Sequence, residues 1–394
     1  MDGSSFFDKS SKKFLNEIKV LKTSKTKMKR GIELQERNPF NPTFGNVPPI
    51  FLDKQKVIDE LIDEIQNGYP QPFFVTGVRG SGKTSFLTRI SQILNEDPNC
   101  YCVDLINEEG ILTSLARKLY RDHGSKLSKI FNVFESIKIG AVTLTKGTEI
   151  PNVEEMLEEL MQSIQKQGKY VVITVDEVND SKAIRSFAQQ YNSLKRQNYP
   201  IYAIMTGLPD LVLDLQNNER LTFLLRSRKI IMQPLDNLDM ENAYQDVFEG
   251  NFEVAHQMAG LTNGYSYAFQ LLGDIYFRYL KRQQLSPSLD NLNAIFNQYE
   301  ITLFNNAYQK IFAGVSEGDR KYLVAILNHP QLSASAQVMG KGVSYVSQYR
   351  KRMIDRGLVQ PSTYGKVRYT LPLFDKFIEQ TQNPNSEFFW EINY

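Results

Sequence analysis

From Phe73 to Gln233 the chain alternates between short, unbroken apolar runs and longer stretches whose apolar residues recur every three or four positions. The runs Phe73–Thr76, Cys100–Leu105, Tyr170–Asp176, Ile201–Thr206 and Lys229–Gln233 predict strands. The stretches Lys54–Gln66, Lys83–Leu94, Ile111–Tyr120, Val153–Gln167 and Ala183–Lys195 predict helices. Strands that are apolar throughout, such as Val171-Val-Ile-Thr-Val, are buried on both faces. The pattern therefore predicts an α/β fold, a parallel sheet covered by helices on both sides. Phe131–Lys146, strand-like on either side of Gly140, predicts an inserted hairpin.

After Gln233 the period is helical only: Met240–Phe248, Phe252–Ala259, Ser266–Lys281 and Asn291–Phe312 predict a lid-sized helical unit. Beyond it, helices over Gly318–Asn328, Ser333–Met339 and Val343–Arg356 precede two short strands, Leu358–Gln360 and Lys366–Leu371, turned through Pro361 to Gly365. Three helices and a hairpin in this order predict a winged helix-turn-helix. On its third helix Val346, Tyr349, Met353 and Ile354 form the apolar stripe, with Ser344, Gln348 and Lys351 opposite and Tyr345 and Arg352 flanking. At the other end, Asn38-Pro-Phe-Asn-Pro and Val47-Pro-Pro-Ile force extended backbone and mark where a domain begins. The expected division is a basic extension at 1–37, an α/β subdomain at 38–236, a helical lid at 237–313, a winged helix at 314–380 and a tail at 381–394. Within the extension, Phe14, Leu15, Ile18 and Leu21 suit either a short amphipathic helix or a solvated leader.

A length of 394 residues, 41% apolar and 23% charged, is that of an ordinary globular chain of two or three domains. The apolar runs are strand-length and Met1 to Val20 lacks a signal-peptide core, so a cytoplasmic protein without membrane association is expected. Cys100 and Cys102, two apart in one strand, point to the same face as small core residues. His123, His256 and His329 are scattered, and no structural zinc site is expected. The net charge of +2 hides an uneven distribution. Residues 1–37 carry ten Lys/Arg against five acids and residues 338–370 seven against one, leaving about −9 for the rest.

The most specific pattern is Gly77-Val78-Arg79-Gly80-Ser81-Gly82-Lys83-Thr84, which satisfies G-x-x-x-x-G-K-[ST] between an apolar strand and a helical stretch opening at Ser85. Such a loop turns its backbone N–H groups inward and adds the positive end of the following helix, so it encloses phosphate oxygens. Lys83 is expected to reach the β- and γ-phosphates of ATP, and Thr84 to place its hydroxyl on Mg²⁺. About ninety residues later, Tyr170-Val-Val-Ile-Thr-Val-Asp176-Glu177 brings a carboxylate pair to the end of a buried strand. Asp176 suits the metal and Glu177 the role of general base toward water. Thr206, ending the next strand, either bonds the γ-phosphate or water, or caps the strand. Arg220, Arg226 and Arg228 precede the last strand, and a guanidinium among them, Arg220 and Arg226 foremost, is a candidate arginine finger in cis or in trans, or else a surface arginine.

In order along the chain, Pro48-Pro-Ile50-Phe-Leu52, Gly77–Thr84, Asp176-Glu177, Thr206-Gly-Leu-Pro209, Pro234-Leu235, the helical lid and the winged helix resemble the AAA+ ATPases of the initiator, origin-recognition type. They are also similar to a group of uncharacterised bacterial ATP-binding proteins of the same plan. The resemblance spans roughly residues 38 to 375 and implies that the lead-in around Ile50 faces the nucleotide. It further implies slow ATP hydrolysis and duplex-DNA binding, with a homo-oligomer compatible with both. Gln348 and Lys351 would reach base edges, Lys366 and Arg368 phosphates, with Ser344 and Arg352 beside them. Two departures matter. Asp53-Lys54 stands where the clade reads Gly-Arg, and the lid segment Gly264-Tyr-Ser266-Tyr-Ala-Phe-Gln-Leu-Leu contains no arginine. The second resembles STAND-type signalling ATPases, with Ser266 in place of a proline. A switch whose winged helix docks protein therefore stands as the alternative.

Overall fold

The computed structural model describes residues 37–123 and 152–391, except 44, 53 and 70. The expected leader helix, the inserted hairpin at Phe131–Lys146 and position Asp53 lie outside the described residues.

The α/β part runs α1 (Gln55–Gln66), β1 (Phe73–Thr76), α2 (Lys83–Asn95), β2 (Cys100–Leu105), α3 (Ile111–His123), α4 (Val153–Lys166), β3 (Tyr170–Val175), α5 (Lys182–Arg196), β4 (Ile201–Gly207), α6 (Pro209–Gln216) and β5 (Arg228–Ile231). The five strands form one parallel sheet in the order β2-β3-β4-β1-β5. Alternation along each strand feeds two cores. Phe74, Val171, Ile173, Val175, Ala203 and Met205 enter the cluster under α3, α4 and α5. Phe73, Val75, Val172, Tyr202 and Ile204 enter the cluster under α1 and α2. Cys100 and Cys102 both face the second cluster as free thiols, the former buried. This is the fold of the P-loop nucleotide hydrolases.

Helix starts are fixed locally. Asn152 and Glu155 form a reciprocal capping box on α4, and Ser181 accepts from Ile184 N–H to cap α5. Two unpredicted elements fill 209–226: α6, with Pro209 in its first turn, and a 3₁₀ stretch over Glu219–Arg226 that is kinked at Leu221. Proline suits that position because its missing N–H would be unpaired there anyway.

The lid consists of α7 (Asn237–Val247), α8 (Phe252–Thr262), α9 (Ser266–Gln283), α10 (Leu289–Leu303) and α11 (Gln309–Ala313), with a π-helical turn at Phe304–Tyr308 joining the last two. That turn rotates the chain so that Phe304 and Tyr308 both meet Phe377, at ring-centroid distances of 5.4 and 5.7 Å. The proline-flanked lead-in is strapped across this lid. Phe40 is buried 5.6 to 5.9 Å from the rings of Tyr244, Phe248 and Phe269. Asn38 donates to Asp274 (2.7 Å) and Asn41 N–H to Gln270 (2.9 Å).

The C-terminal part comprises α12 (Glu317–Asn328), α13 (Leu332–Val338), α14 (Val343–Asp355), an antiparallel ribbon of β6 (Val359–Pro361) and β7 (Val367–Tyr369), and α15 (Phe374–Thr381). A bridge between Gln331 and Lys366 adds a third strand position to the ribbon, the order of elements in a winged helix. The apolar stripe of α14 is narrower than the sequence suggests. Val346 and Met353 are fully buried, while Tyr349 and Ile354 are half-buried.

Gly273 lies against the Phe40 ring with no space for a side chain, so the lead-in anchor is tightly packed. Replacing Phe40 by Ala should cost about 3–5 kcal/mol, the range for deleting a buried aromatic ring. Urea unfolding of the two proteins checks this; an unchanged midpoint would mean that the strap contributes nothing to the lid.

Candidate functional site

The sheet order determines which side chains meet. Because β4 lies between β1 and β3, the loop after β1, the end of β4 and the end of β3 share one edge. The loop Gly77–Gly82 turns through Gly80 at φ +79° and Gly82 at φ +89°, backbone that side-chain-bearing residues rarely adopt. Gly82 also precedes α2 without any side-chain cap, so the first-turn N–H groups are left for an anion. Lys83 curls over the loop and donates to the carbonyls of Gly77 and Val78, both at 2.9 Å. Burial pulls its ammonium down to about 8, against the opposing pull of Asp176 and Glu177.

Asp176 follows β3 directly and gathers three donors. Thr84 Oγ1 donates to its Oδ2 at 2.7 Å, Thr206 Oγ1 to its Oδ1, and the Glu177 N–H to the same Oδ1 at 3.0 Å. Thr206 is fully buried and also accepts from Glu177 N–H at 3.3 Å, so in this state its hydroxyl serves the carboxylate. Glu177 is exposed and adopts φ +53°, a left-handed conformation costly for any residue but glycine. Asn107, just past β2, supports that turn: its amide donates to Glu177 O and Asn179 Oδ1, both at 3.1 Å, and accepts from Ser181 Oγ at 2.8 Å. Sequence reasoning missed Asn107, whose only signal was a polar residue shortly after an apolar strand. The Thr84 hydroxyl and Asp176 carboxylate meet as hard oxygen donors, a set that fits Mg²⁺ and not a softer metal.

The remaining expected residues fall around this centre. Ile50 O accepts from Gln270 of α9 at 2.9 Å, tying the lead-in to the lid, and Ser85 Oγ donates to Asn46 O at 3.0 Å. Among the described residues the buried Ser81 hydroxyl has no hydrogen-bond partner. Arg79 is exposed at the loop tip. Arg220 and Arg226 are exposed on the 3₁₀ helix, whereas Arg228 is paired with Glu60 and Glu64 of α1. On the C-terminal part, Ser344, Gln348 and Lys351 are exposed along α14, and Lys366 and Arg368 on the ribbon. Arg352 differs from them: its guanidinium grips the buried Asp319 at 2.7 and 3.0 Å and lies 4.7 Å over the Tyr349 ring. It is committed to holding α14 against α12.

The C-terminal part also touches the loop itself. The backbone of Gly357, at φ +72°, packs so closely on Val78 that a Cβ there would lie 2.8 Å from Val78 Cγ1. Beside it, Arg356 pairs with Asp210 of α6 and donates to Gly314 O at 3.2 Å. Asn263 of the lid donates to Thr370 O at 3.0 Å.

Fold and site together are those of a P-loop nucleotide-binding domain. Residues 51–207 match the family described as an ATPase domain predominantly from Archaea, and residues 305–378 match a domain of unknown function. An uncharacterised ATP-binding protein of Methanocaldococcus jannaschii is 24% identical over 183 residues, 42% of this chain. The chain spans 47% of that relative's length. Among solved structures, the Walker-type ATPase of Pyrococcus abyssi superposes with a TM-score of 0.55 at 13% identity, covering 84% of this chain and 96% of that one. The Orc2 protein of Aeropyrum pernix, solved as ADPNP and ADP complexes, does so with 0.56 at 12% identity, covering 86% and 95%. At 12–13% identity the likeness to these two structures is one of fold.

Lys83 generates a pH prediction. Polyphosphate favours its charged form, so binding below about pH 8 needs no proton, while binding above it must take one up. ATP affinity should stay level up to about pH 8 and then fall, by up to about tenfold per pH unit. Titration calorimetry in buffers of different ionisation heat should show proton uptake at pH 9; a flat profile to pH 9.5 would contradict the assignment.

Proposed function

We propose that this chain binds ATP with Mg²⁺, hydrolyses it slowly, and engages duplex DNA through its C-terminal part, with nucleotide state setting its conformation or assembly. The observation that carries the reading is the meeting of Lys83, Thr84, Asp176, Glu177 and Thr206 at one edge of the sheet. The loop amides and Lys83 would hold the phosphates. Mg²⁺, held by Thr84 and Asp176, would supply charge neutralisation on the β- and γ-phosphates. Glu177 would accept the proton of the attacking water on a carboxylate oxygen, and Asn107 and Thr206 would fix its backbone for that task. Arg220 and Arg226, each exposed, would be the candidates to reach a neighbouring copy's nucleotide, which would make a homo-oligomer part of catalysis. The nucleotide complexes of the Aeropyrum pernix relative and the ATP-binding name of the Methanocaldococcus jannaschii one support the ligand.

DNA binding is supported by charge and placement. Residues 338–370 carry seven basic residues against one acid, and Ser344, Gln348, Lys351, Lys366 and Arg368 are exposed on one helix and its ribbon. Gln348 and Lys351 would read bases, and Lys366 and Arg368 would contact phosphates, with Arg352 orienting the helix from behind. The reading places the protein in the cytoplasm; among the described residues no helix is long and apolar enough to cross a membrane. Fluorescence anisotropy with duplex DNA and ATP tests it. Seven to ten phosphate contacts would lower affinity by about three to five powers of ten between low and moderately high salt. Lys351→Ala/Arg368→Ala should weaken binding at every salt concentration; salt-insensitive or absent binding by the wild type would sink the DNA reading.

One feature favours a second reading, a STAND-type switch whose C-terminal part docks protein. Gly357 rests on the phosphate loop and Arg356 is paired with Asp210, four residues after Thr206, so the C-terminal part is already engaged intramolecularly. In this version ATP frees that part for self-association. Light scattering should then show mass rising on addition of ATP, and rising without ATP in Arg356→Ala. Constant mass in both would count against the switch.

A further inference from the structure

Three consecutive lid residues hydrogen-bond three consecutive residues of the phosphate loop. The Tyr265 hydroxyl donates to Arg79 O at 2.8 Å, the Tyr267 N–H to Gly80 O at 3.1 Å, and the Ser266 hydroxyl to Ser81 O at 3.2 Å. Tyr265 is 4% exposed, and burial drives its phenol well above the ordinary tyrosine range, so it is a neutral donor at any working pH. The fit is close. A Cβ on Gly80 would lie 2.1 Å from the Tyr265 hydroxyl oxygen, so glycine is needed at position 80 for the ring as well as for the turn.

In a planar trans peptide the carbonyl of one residue and the N–H of the next point in opposite directions. Fixing the carbonyls of 79, 80 and 81 toward the lid therefore aims the amides of 80, 81 and 82 toward the inside of the loop. The Ser81 N–H closes a turn on Val78 O at 3.2 Å, so of these three amides those of Gly80 and Gly82 would be the pair for phosphate oxygens. We propose that Tyr265 and Ser266 are positioning residues of the phosphate site: from behind the loop they preset its amides for the polyphosphate. The lid, which carries no arginine in this segment, thus contributes to phosphate binding without touching the ligand. The inference rests on the ATP reading above.

A phosphate-positioning role and a merely structural one differ in their ligand dependence. Tyr265→Phe keeps the ring and removes one hydroxyl; Ser266→Ala removes the other. Affinity for ATP, ADP and adenosine is measured by calorimetry on wild type, each single variant and the double, together with KM and kcat for ATP. Losing one buried hydrogen bond should weaken ATP and ADP binding by about three- to tenfold, and the double variant by more. Adenosine affinity and kcat at saturation should stay within about twofold, because neither depends on the preset amides. Equal ATP affinity in Tyr265→Phe and wild type, or a parallel loss for adenosine, would overturn the positioning role alone. If wild type fails to bind ATP, or Lys83→Ala binds it as well, the ATP reading falls and takes this role with it.

Discussion

The Asp176 carboxylate joins three parts of the sheet edge that the chain brings together from far apart. It accepts from Thr84 at the start of α2, from Thr206 at the end of β4 and from the N–H of its own neighbour Glu177. The packing of the two cores on either side of β3 and β4 serves this point, since Val175 and Met205 hold the strand ends in register. A metal taking up Thr84 and Asp176 would exchange one set of favourable oxygen contacts for another and leave the frame unchanged.

From this centre, physical links run outward in two directions. One passes through Glu177, whose left-handed backbone is held by Asn107 and Thr206, so the proposed base sits on a turn fixed from both neighbouring strands. The other passes through the phosphate loop, whose outer carbonyls face the lid and whose Val78 carries the weight of Gly357. The loop is therefore in contact with both the lid and the C-terminal part. Movement of the lid or of the C-terminal part would be felt at the loop, and occupation of the loop would be felt there in turn.

Much of this was legible in the sequence because it is local. Unbroken apolar runs marked the strands to within a residue or two, and the glycine spacing of 77–84 marked the phosphate loop with its flanking strand and helix. What the sequence did not carry was sheet order, and with it every pairing across the edge. Thr206 bonding Asp176, and Asn107 holding the Glu177 turn, both follow from β4 and β2 flanking β3. Arg352 fell at the margin of the polar face of α14 by period alone. Only the burial of Asp319 on α12 explains why its guanidinium turns inward. The π-helical turn at 304–308 was hidden by a periodicity that reads as one uninterrupted helix, and aromatic packing against Phe377 gives the reason for the rotation. The Tyr265 contact is of the same kind, a bond between residues 186 positions apart.

We propose that the Asp176 centre hydrolyses ATP. The most direct test is phosphate release from ATP in the presence of Mg²⁺ by wild type and Glu177→Gln, with bound nucleotide quantified in parallel. Wild type should turn over slowly, and Glu177→Gln at least about a hundredfold more slowly while still holding unhydrolysed ATP. Equal turnover in both proteins would remove Glu177 from the chemistry. ATP retained without any wild-type turnover would make this a nucleotide-binding fold and not an ATPase.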